Sequence, residues 1–288
     1  MKELTILSGK GGTGKTSITS AIASIAKNAV FCDNDVDAAD LHLILKPKIL
    51  EEYTFLGGWQ SSINEEKCNN CAICKKHCRF NAIHFKEEGG LYINPIQCEG
   101  CRLCERVCPQ NAIISKQSDN NYWYVSDTRF GKLVHAYMGP GEENSGKLVT
   151  QVRTKAKEIA EETNAEYVIN DGPPGIGCAA IASVTGADTV LMVIEPTKSG
   201  LHDVKRLIHL IKEFGITAYA IINKYNINFE ICKQIEEYLK MENILLVAKI
   251  PFDESFVEAM VLEKSIIEFN PESEITESIK ILWEKIRN

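Results

Sequence analysis

Nearly unbroken apolar runs of four to eight residues recur along this chain, at 3–8, 30–33, 167–171, 188–195, 218–223 and 244–250. Between and after them come stretches at 17–27, 200–214 and 229–240 whose apolar positions return every three or four residues. The first pattern is that of strands buried on both faces and the second that of helices with one buried stripe. Their alternation predicts an α/β fold with a doubly wound parallel sheet. A last helix over 275–286 places Ile275, Ile279, Leu282, Trp283 and Ile286 on one face. Its other face mixes Glu274, Glu277 and Glu284 with Lys280, Lys285 and Arg287. It lacks the basic excess that anionic lipid requires, so it is expected to pack on its own sheet.

The rhythm breaks between Gly57-Gly58 and Ser118-Asp119-Asn120-Asn121, two polar, turn-rich stretches. These divide the chain into a discontinuous domain, 1–58 with 120–288, and an insert, 59–119. Eight of the eleven cysteines lie in the insert, in two registers. They read Cys68-x-x-Cys71-x-x-Cys74-x-x-x-Cys78 and Cys98-x-x-Cys101-x-x-Cys104-x-x-x-Cys108-Pro109. Disulfides would need export, and the N-terminus shows no signal segment. Zinc Cys₄ sites use two Cys-x-x-Cys pairs with a gap, not an unbroken 2-2-3 rhythm written twice. The spacing is that of iron–sulfur ligation, in which the fourth cysteine of one register reaches the other cluster. Each register also runs into Asn-Ala-Ile, at 81–83 and 111–113.

The first apolar run leads directly into Gly9-Lys10-Gly11-Gly12-Thr13-Gly14-Lys15-Thr16, with Ser17 opening the helical stretch. Glycines let backbone N–H groups wrap phosphates, Lys15 neutralises β/γ oxygens, and Thr16 offers a hydroxyl to Mg²⁺. Gly9, Gly11 and Gly14 also satisfy the looser dinucleotide pattern. That rival has no use for Lys15-Thr16 or for Asp171, which closes an apolar run where P-loop enzymes keep the acid that orients magnesium.

Two resemblances follow from these motifs. The insert resembles bacterial-type ferredoxins, which implies two [4Fe–4S] clusters, one on Cys68, Cys71, Cys74 and Cys108 and the other on Cys98, Cys101, Cys104 and Cys78. Arg79 stands where that family usually has proline, and a positive charge beside a cluster raises its potential. With Lys10, the phosphate loop is similar to the deviant Walker A loop of the MinD, ParA and nitrogenase iron-protein group of ATPases. This resemblance covers nearly the whole chain. It implies ATP and Mg²⁺ as ligands and an ATP-dependent homodimer in which Lys10 reaches the partner's phosphates. It further implies Asp35 as the residue positioning the attacking water, among the carboxylates Asp33, Asp35, Asp37 and Asp40. Asp33 and Asp171 would support magnesium, and Asp171-Gly172-Pro173-Pro174-Gly175 would sense the γ-phosphate. Asn223, Lys224, Pro251 and Asp253 would hold the base.

Cys178 follows Asp171 by seven residues, the offset of a cluster ligand in the nitrogenase iron protein. Ser145 stands where a second such ligand is wanted, so a buried core thiol is the expected reading; Cys32 and Cys232 are read the same way. The six histidines form no ligand-spaced group, and His77 is read as lying beside a cluster. The net charge of −7 argues against nucleic acid, and no apolar run is long enough to span a membrane. Free thiols and the missing signal segment point to a reducing cytoplasm. The function expected is ATP-gated electron transfer or redox delivery to a protein partner. Its rival is a positioning ATPase, or a carrier that assembles iron–sulfur clusters, in which bound clusters are structural or sense redox state.

Overall fold

The computed structural model describes every residue except Pro140, Gly141, Glu143 and Asn288. Strands lie at β1 (Lys2–Ser8), β2 (Ala29–Asp33), β3 (Lys48–Phe55), β4 (Trp59–Ile63), β5 (Ile83–Phe85), β6 (Leu91–Ile93) and β7 (Ile113–Gln117). They continue with β8 (Asn121–Asp127), β9 (Lys132–Met138), β10 (Tyr167–Pro174), β11 (Thr189–Ile194), β12 (Thr217–Asn223) and β13 (Leu245–Ile250). The chain forms two compact units, Met1–Glu52 with Trp123–Tyr137 and Ser145–Asn288, and Tyr53–Tyr122 with Met138–Asn144. The insert read as 59–119 falls inside the second.

A nine-stranded sheet has the order β13-β12-β11-β1-β10-β2-β9-β8-β3. From β13 to β9 every neighbouring pair is parallel. β1 sits between β10 and β11, so the strand order reverses beside the loop that follows Ser8, where open parallel sheets bind ligands. Ile6, Leu7, Phe31, Ile169 and Leu191 are fully buried, as strands covered on both faces require. The helix Glu274–Arg287 buries Ile275, Ile279, Leu282, Trp283 and Ile286 in one core with Leu4, Ile169 and Val247. That is the sheet packing its mixed polar face predicts.

The first helix runs Lys15–Ala23 rather than 17–27. It starts on leaving Gly14, whose φ of 90° turns the chain in the left-handed region open to glycine. No element was expected between 121 and 166, yet β8, β9 and the helix Ser145–Glu162 lie there. That helix is anchored by a buried charge network. Arg153 Nη2 lies 2.7 Å from Glu3 Oε1, and Lys157 Nζ lies 2.7 Å from Glu3 Oε2. Arg153 Nη1 also donates to the carbonyls of Ala182 and Thr185, closing the end of the helix Cys178–Val184. Arg153→Met would leave Glu3 buried without this partner, and we expect a loss of roughly 3–5 kcal/mol, read as a lowered unfolding midpoint in urea.

The second unit repeats itself with an offset of thirty residues. β4 pairs antiparallel with β7 through Ile63 and Ile113, and β5 with β6 through Ile83 and Ile93. Asn64 N–H donates to Ala112 O at 2.7 Å and Asn94 N–H to Ala82 O at 2.7 Å. Positive φ angles recur in register at Asn70 and Gly100, Ala72 and Arg102, and Asn81 and Asn111. Two copies of one strand–turn–helix segment thus exchange strands, and a small core of Cys74, Ile83, Leu91 and Ile113 lies between them.

Candidate functional site

Gly14 ends the phosphate loop and the helix of Lys15 begins at once, so its first N–H groups face the cavity above β1. That cavity holds about 510 Å³, within the range of nucleotide-sized sites. Gly11 to Ser17, Asp35, Pro174, Asn223, Lys224, Pro251 and Asp253 line it. One wall is apolar and is built from Phe252, in the Pro251-Phe252-Asp253 loop expected at the base, and from Leu43, Phe256 and Met260, which the sequence reading did not name.

Under the loop lies a compact charge cluster. Lys15 Nζ is 3.1 Å from Asp171 Oδ1 and 3.5 Å from Asp35 Oδ2. Thr16 Oγ1 donates to Asp171 Oδ2 at 2.7 Å, and Thr19 Oγ1 to Asp171 Oδ1 at 2.8 Å. Thr19 is absent from the sequence-derived site, although it lies one helical turn after Lys15 and so on its face. Burial disfavours the Lys15 ammonium, but Asp171, Asp35 and Asp33 outweigh it and hold the lysine above its usual range. Asp33 is fully buried, and its carboxylate accepts the N–H groups of Asp35 at 3.1 Å and Leu41 at 3.1 Å. In this structure it shapes the loop that carries Asp35. Burial first, then the nearby Asp171, pushes the Asp33 carboxyl well up.

Asp35 lines the cavity, and its carboxyl is raised to about 6 by burial, with Lys15 pulling the other way and Asp171 reinforcing the rise. Only the ionised carboxylate can accept a proton from water. With Asp35 expected, from the family resemblance, to position the attacking water, ATP turnover should climb as pH rises through about 6 and fall up to tenfold per unit below it. Asp35→Asn should remove this acid limb along with most of the turnover, which a pH–rate profile checks.

Of the residues expected to hold the base, Asn223 Nδ2 donates to Thr13 O at 2.8 Å, and Lys224 Nζ donates to Gly12 O at 2.9 Å. Both therefore brace the phosphate loop here, while among the described residues the buried Asn223 Oδ1 has no hydrogen-bond partner. Asp253 Oδ1 accepts the N–H of Ser255 at 2.8 Å. Gly9 and Lys10 lie apart from the cavity, in a small space with Glu195, Gly200 and Val204.

In the second unit the cysteines sort into two groups of four. Cys68, Cys71, Cys74 and Cys108 line one small cavity; Cys78, Cys98, Cys101 and Cys104 line another. All are free thiols. Ala82 N–H donates to Cys78 Sγ at 3.4 Å and Ala112 N–H to Cys108 Sγ at 3.3 Å, so the crossing cysteines are held alike. Among the described residues no three His, Cys, Asp or Glu side chains converge on a single metal ion. His77 Nδ1 is hydrogen-bonded to Ile73 O at 2.9 Å. Cys32 and Cys232 are buried, but Cys178 is exposed where the sequence reading expects a core thiol. It opens the helix Cys178–Val184, with its Cβ close to Gly146.

A sequence profile of the CobQ/CobB/MinD/ParA nucleotide binding domain matches residues 4–266. The chain belongs to this family. It is 36% identical over 290 residues to the uncharacterized protein MJ0578 of Methanocaldococcus jannaschii, covering 99% of this chain and 96% of that one. The septum site-determining protein MinD of Pyrococcus horikoshii, solved with Mg-ADP, superposes with a TM-score of 0.61 at 17% identity, covering 99% of this chain and 95% of that one. MinD from the MinC:MinD cell division complex of Aquifex aeolicus gives 0.58 at 18%, covering 99% and 95%. The parallel-sheet α/β fold is thus that of MinD, and nucleotide binding is the shared property of the family. Among the described residues no helix is long and apolar enough to cross a membrane.

Proposed function

We propose that this chain is an ATP-operated switch of the MinD/ParA kind whose cysteine-rich unit binds two [4Fe–4S] clusters and engages a protein partner. The observation that carries the first half is the cavity over Lys15, Thr16 and Asp171, which combines a phosphate loop, a magnesium-competent hydroxyl and acid, and an apolar wall for a base. ATP and Mg²⁺ fit these groups: Thr16 and Asp171 would hold the metal, Lys15 the β/γ oxygens, and Asp35 the attacking water. The orphaned Asn223 Oδ1 fits an amino donor such as the exocyclic group of adenine.

The carrying observation for the second half is the crossed grouping of the eight thiols. A cube binds one thiolate at each of four corners, so its ligands stand around a cavity instead of converging on a point. Four free thiols around each of two cavities, with one member of each set drawn from the other register, fit that need. When bound, such cubes supply one-electron redox chemistry at potentials set by their surroundings.

The comparisons lean toward nucleotide-driven positioning or assembly over electron transfer, because the two solved structures named above are a septum-site protein and a MinC:MinD cell division complex, while MJ0578 is uncharacterized. ATP-gated electron transfer is the second reading, favoured by the eight-thiol framework, which would retain clusters permanently instead of handing them on. An anaerobic redox titration by electron paramagnetic resonance, with iron counting, separates the two. It is run without nucleotide, with ADP and with a non-hydrolysable ATP analogue. About eight irons per chain with potentials that move on the analogue support gated transfer. The same iron with nucleotide-independent potentials supports positioning or assembly, and a chain that binds only zinc sinks the cluster reading.

The dimer is tested at Lys10. Lys10→Ala should leave ATP binding to the monomer within about twofold, since Lys10 lies outside the cavity, and should abolish pairing and cut turnover at least about tenfold. Sedimentation with the analogue and a steady-state assay check this, and unchanged turnover would sink the role of Lys10.

A further inference from the structure

The lysine that distinguishes this phosphate loop is fully engaged on its own protomer. Lys10 Nζ lies 2.6 Å from Glu195 Oε2, 2.9 Å from Thr197 Oγ1 and 3.3 Å from Ser199 Oγ. An ammonium has three N–H donors, so these three acceptors take up its whole capacity. The main chain at Lys10 is pinned as well, because Ser8 Oγ donates to Lys10 O at 2.8 Å. To reach any phosphate, Lys10 must first leave Glu195.

Glu195 is built to hold that contact. It follows β11 directly, and Thr197 caps the helix Lys198–Glu213 by accepting the N–H of Gly200, which fixes the acceptors that flank it. The other carboxylate oxygen, Oε1, lies 2.9 Å from Lys224 Nζ, which also donates to Gly12 O. One carboxylate thus clips Lys10 of the phosphate loop and Lys224, which braces that loop through Gly12 O. Its side chain is only 13% exposed, which limits screening of the pair by solvent. Burial alone would push the Glu195 carboxyl up, but Lys10 and Lys224 outweigh it and hold it below the usual range, so the clip is ionised at neutral pH.

We propose that Glu195 is a positioning residue: it keeps Lys10 turned back on its own protomer until a nucleotide-loaded partner offers a competing anion, and so sets the ATP concentration at which two protomers pair. The inference rests on the reading of Lys10 as a residue that serves the partner's nucleotide. A carboxylate and a phosphate compete for one ammonium, and a ligand shifts such an equilibrium only by its differential affinity for the two states. Deleting the carboxylate charge removes the competitor and leaves Lys10 and the phosphate loop intact.

The test uses the full chain carrying its metal, as wild type, Glu195→Gln, Glu195→Asp and Lys224→Met. The first readout is the acetylation rate of Lys10 in nucleotide-free protein, followed by mass spectrometry. Glu195→Gln should raise it about fivefold, the value of one part-buried ion pair, with exposed lysines elsewhere unchanged. Glu195→Asp should restore the slow rate in part. Lys224→Met should leave it slow, which separates the two arms of the clip. The second readout is the concentration of a non-hydrolysable ATP analogue that half-saturates dimer formation in sedimentation, which Glu195→Gln should lower by about fivefold. Unchanged acetylation in Glu195→Gln overturns the clip. Faster acetylation with an unchanged or raised half-saturation overturns its control of pairing. A wild-type chain that stays monomeric with the analogue overturns the dimer reading, and that control with it, while the acetylation rate still decides the contact itself.

Discussion

Replacing Lys15 by alanine is expected to abolish nucleotide binding, with affinity for ATP falling by at least about a hundredfold, or roughly 2.7 kcal/mol. The lysine ammonium lies between Asp171 and Asp35, and Asp33 adds to the same local field. With the lysine, the floor of the cavity can accept the phosphates of a polyanion; without it, the acidic Asp35 at the lining and the buried Asp171 beneath it are left without that positive charge. The same substitution should destabilise the nucleotide unit by roughly 3–5 kcal/mol, because Asp171 keeps its burial and loses its counter-charge. The second unit has its own core of Cys74, Ile83, Leu91 and Ile113, so visible absorbance from bound iron–sulfur clusters should survive. Calorimetric titration with ATP and an absorbance spectrum of the same sample check both halves. Loss of the spectrum together with the binding would mean that the two units fold as one.

The parts of this architecture that can be read from sequence are those fixed by local chemistry. Gly14 and Lys15 impose a turn and a helix start on any chain that carries them after a strand, and β1, β10, β11, β12 and β13 are apolar enough to show through. The hidden parts depend on partners far away in the chain. Phe31 and Cys32 of β2 pair with Leu133 and Val134 of β9, across about a hundred residues that include both cysteine registers. Nothing in the sequence Lys132–Met138 names β2 as its neighbour. The same holds for function-bearing contacts. Lys10 and Lys15 are visible as motif residues, but Glu195 meets Lys10 only because β11 lies next to β1. Thr19 was within reach of the sequence, since a residue four after Lys15 must share its face. Asn223, expected from its motif at the base, shows how a residue can carry another job: its amide nitrogen holds the phosphate loop, and among the described residues its buried oxygen has no hydrogen-bond partner.

Cys78 offers the sharpest test of the second unit, because sequence order and spatial grouping assign it to different sets. By position it closes the register that begins at Cys68, yet it lines the cavity of Cys98, Cys101 and Cys104. Cys78→Ser should therefore reduce bound iron from about eight to about four per chain. The surviving paramagnetic signal should match that of Cys98→Ser and differ from that of Cys68→Ser. The hydrogen bond from Ala82 N–H supports the assignment, since it holds Cys78 Sγ at the end of its register just as Ala112 N–H holds Cys108 Sγ at the end of the other. Arg79 follows Cys78 and Pro109 follows Cys108, so the two sites differ in local charge and their signals should be separable by potential. If Cys78→Ser instead matched Cys68→Ser, each register would hold its own cluster and the crossed geometry would be wrong. If both signals vanished, the two sites would fold as one cooperative core, as the shared packing of Cys74, Cys78, Cys104 and Cys108 around Ile83 and Ile113 would then explain.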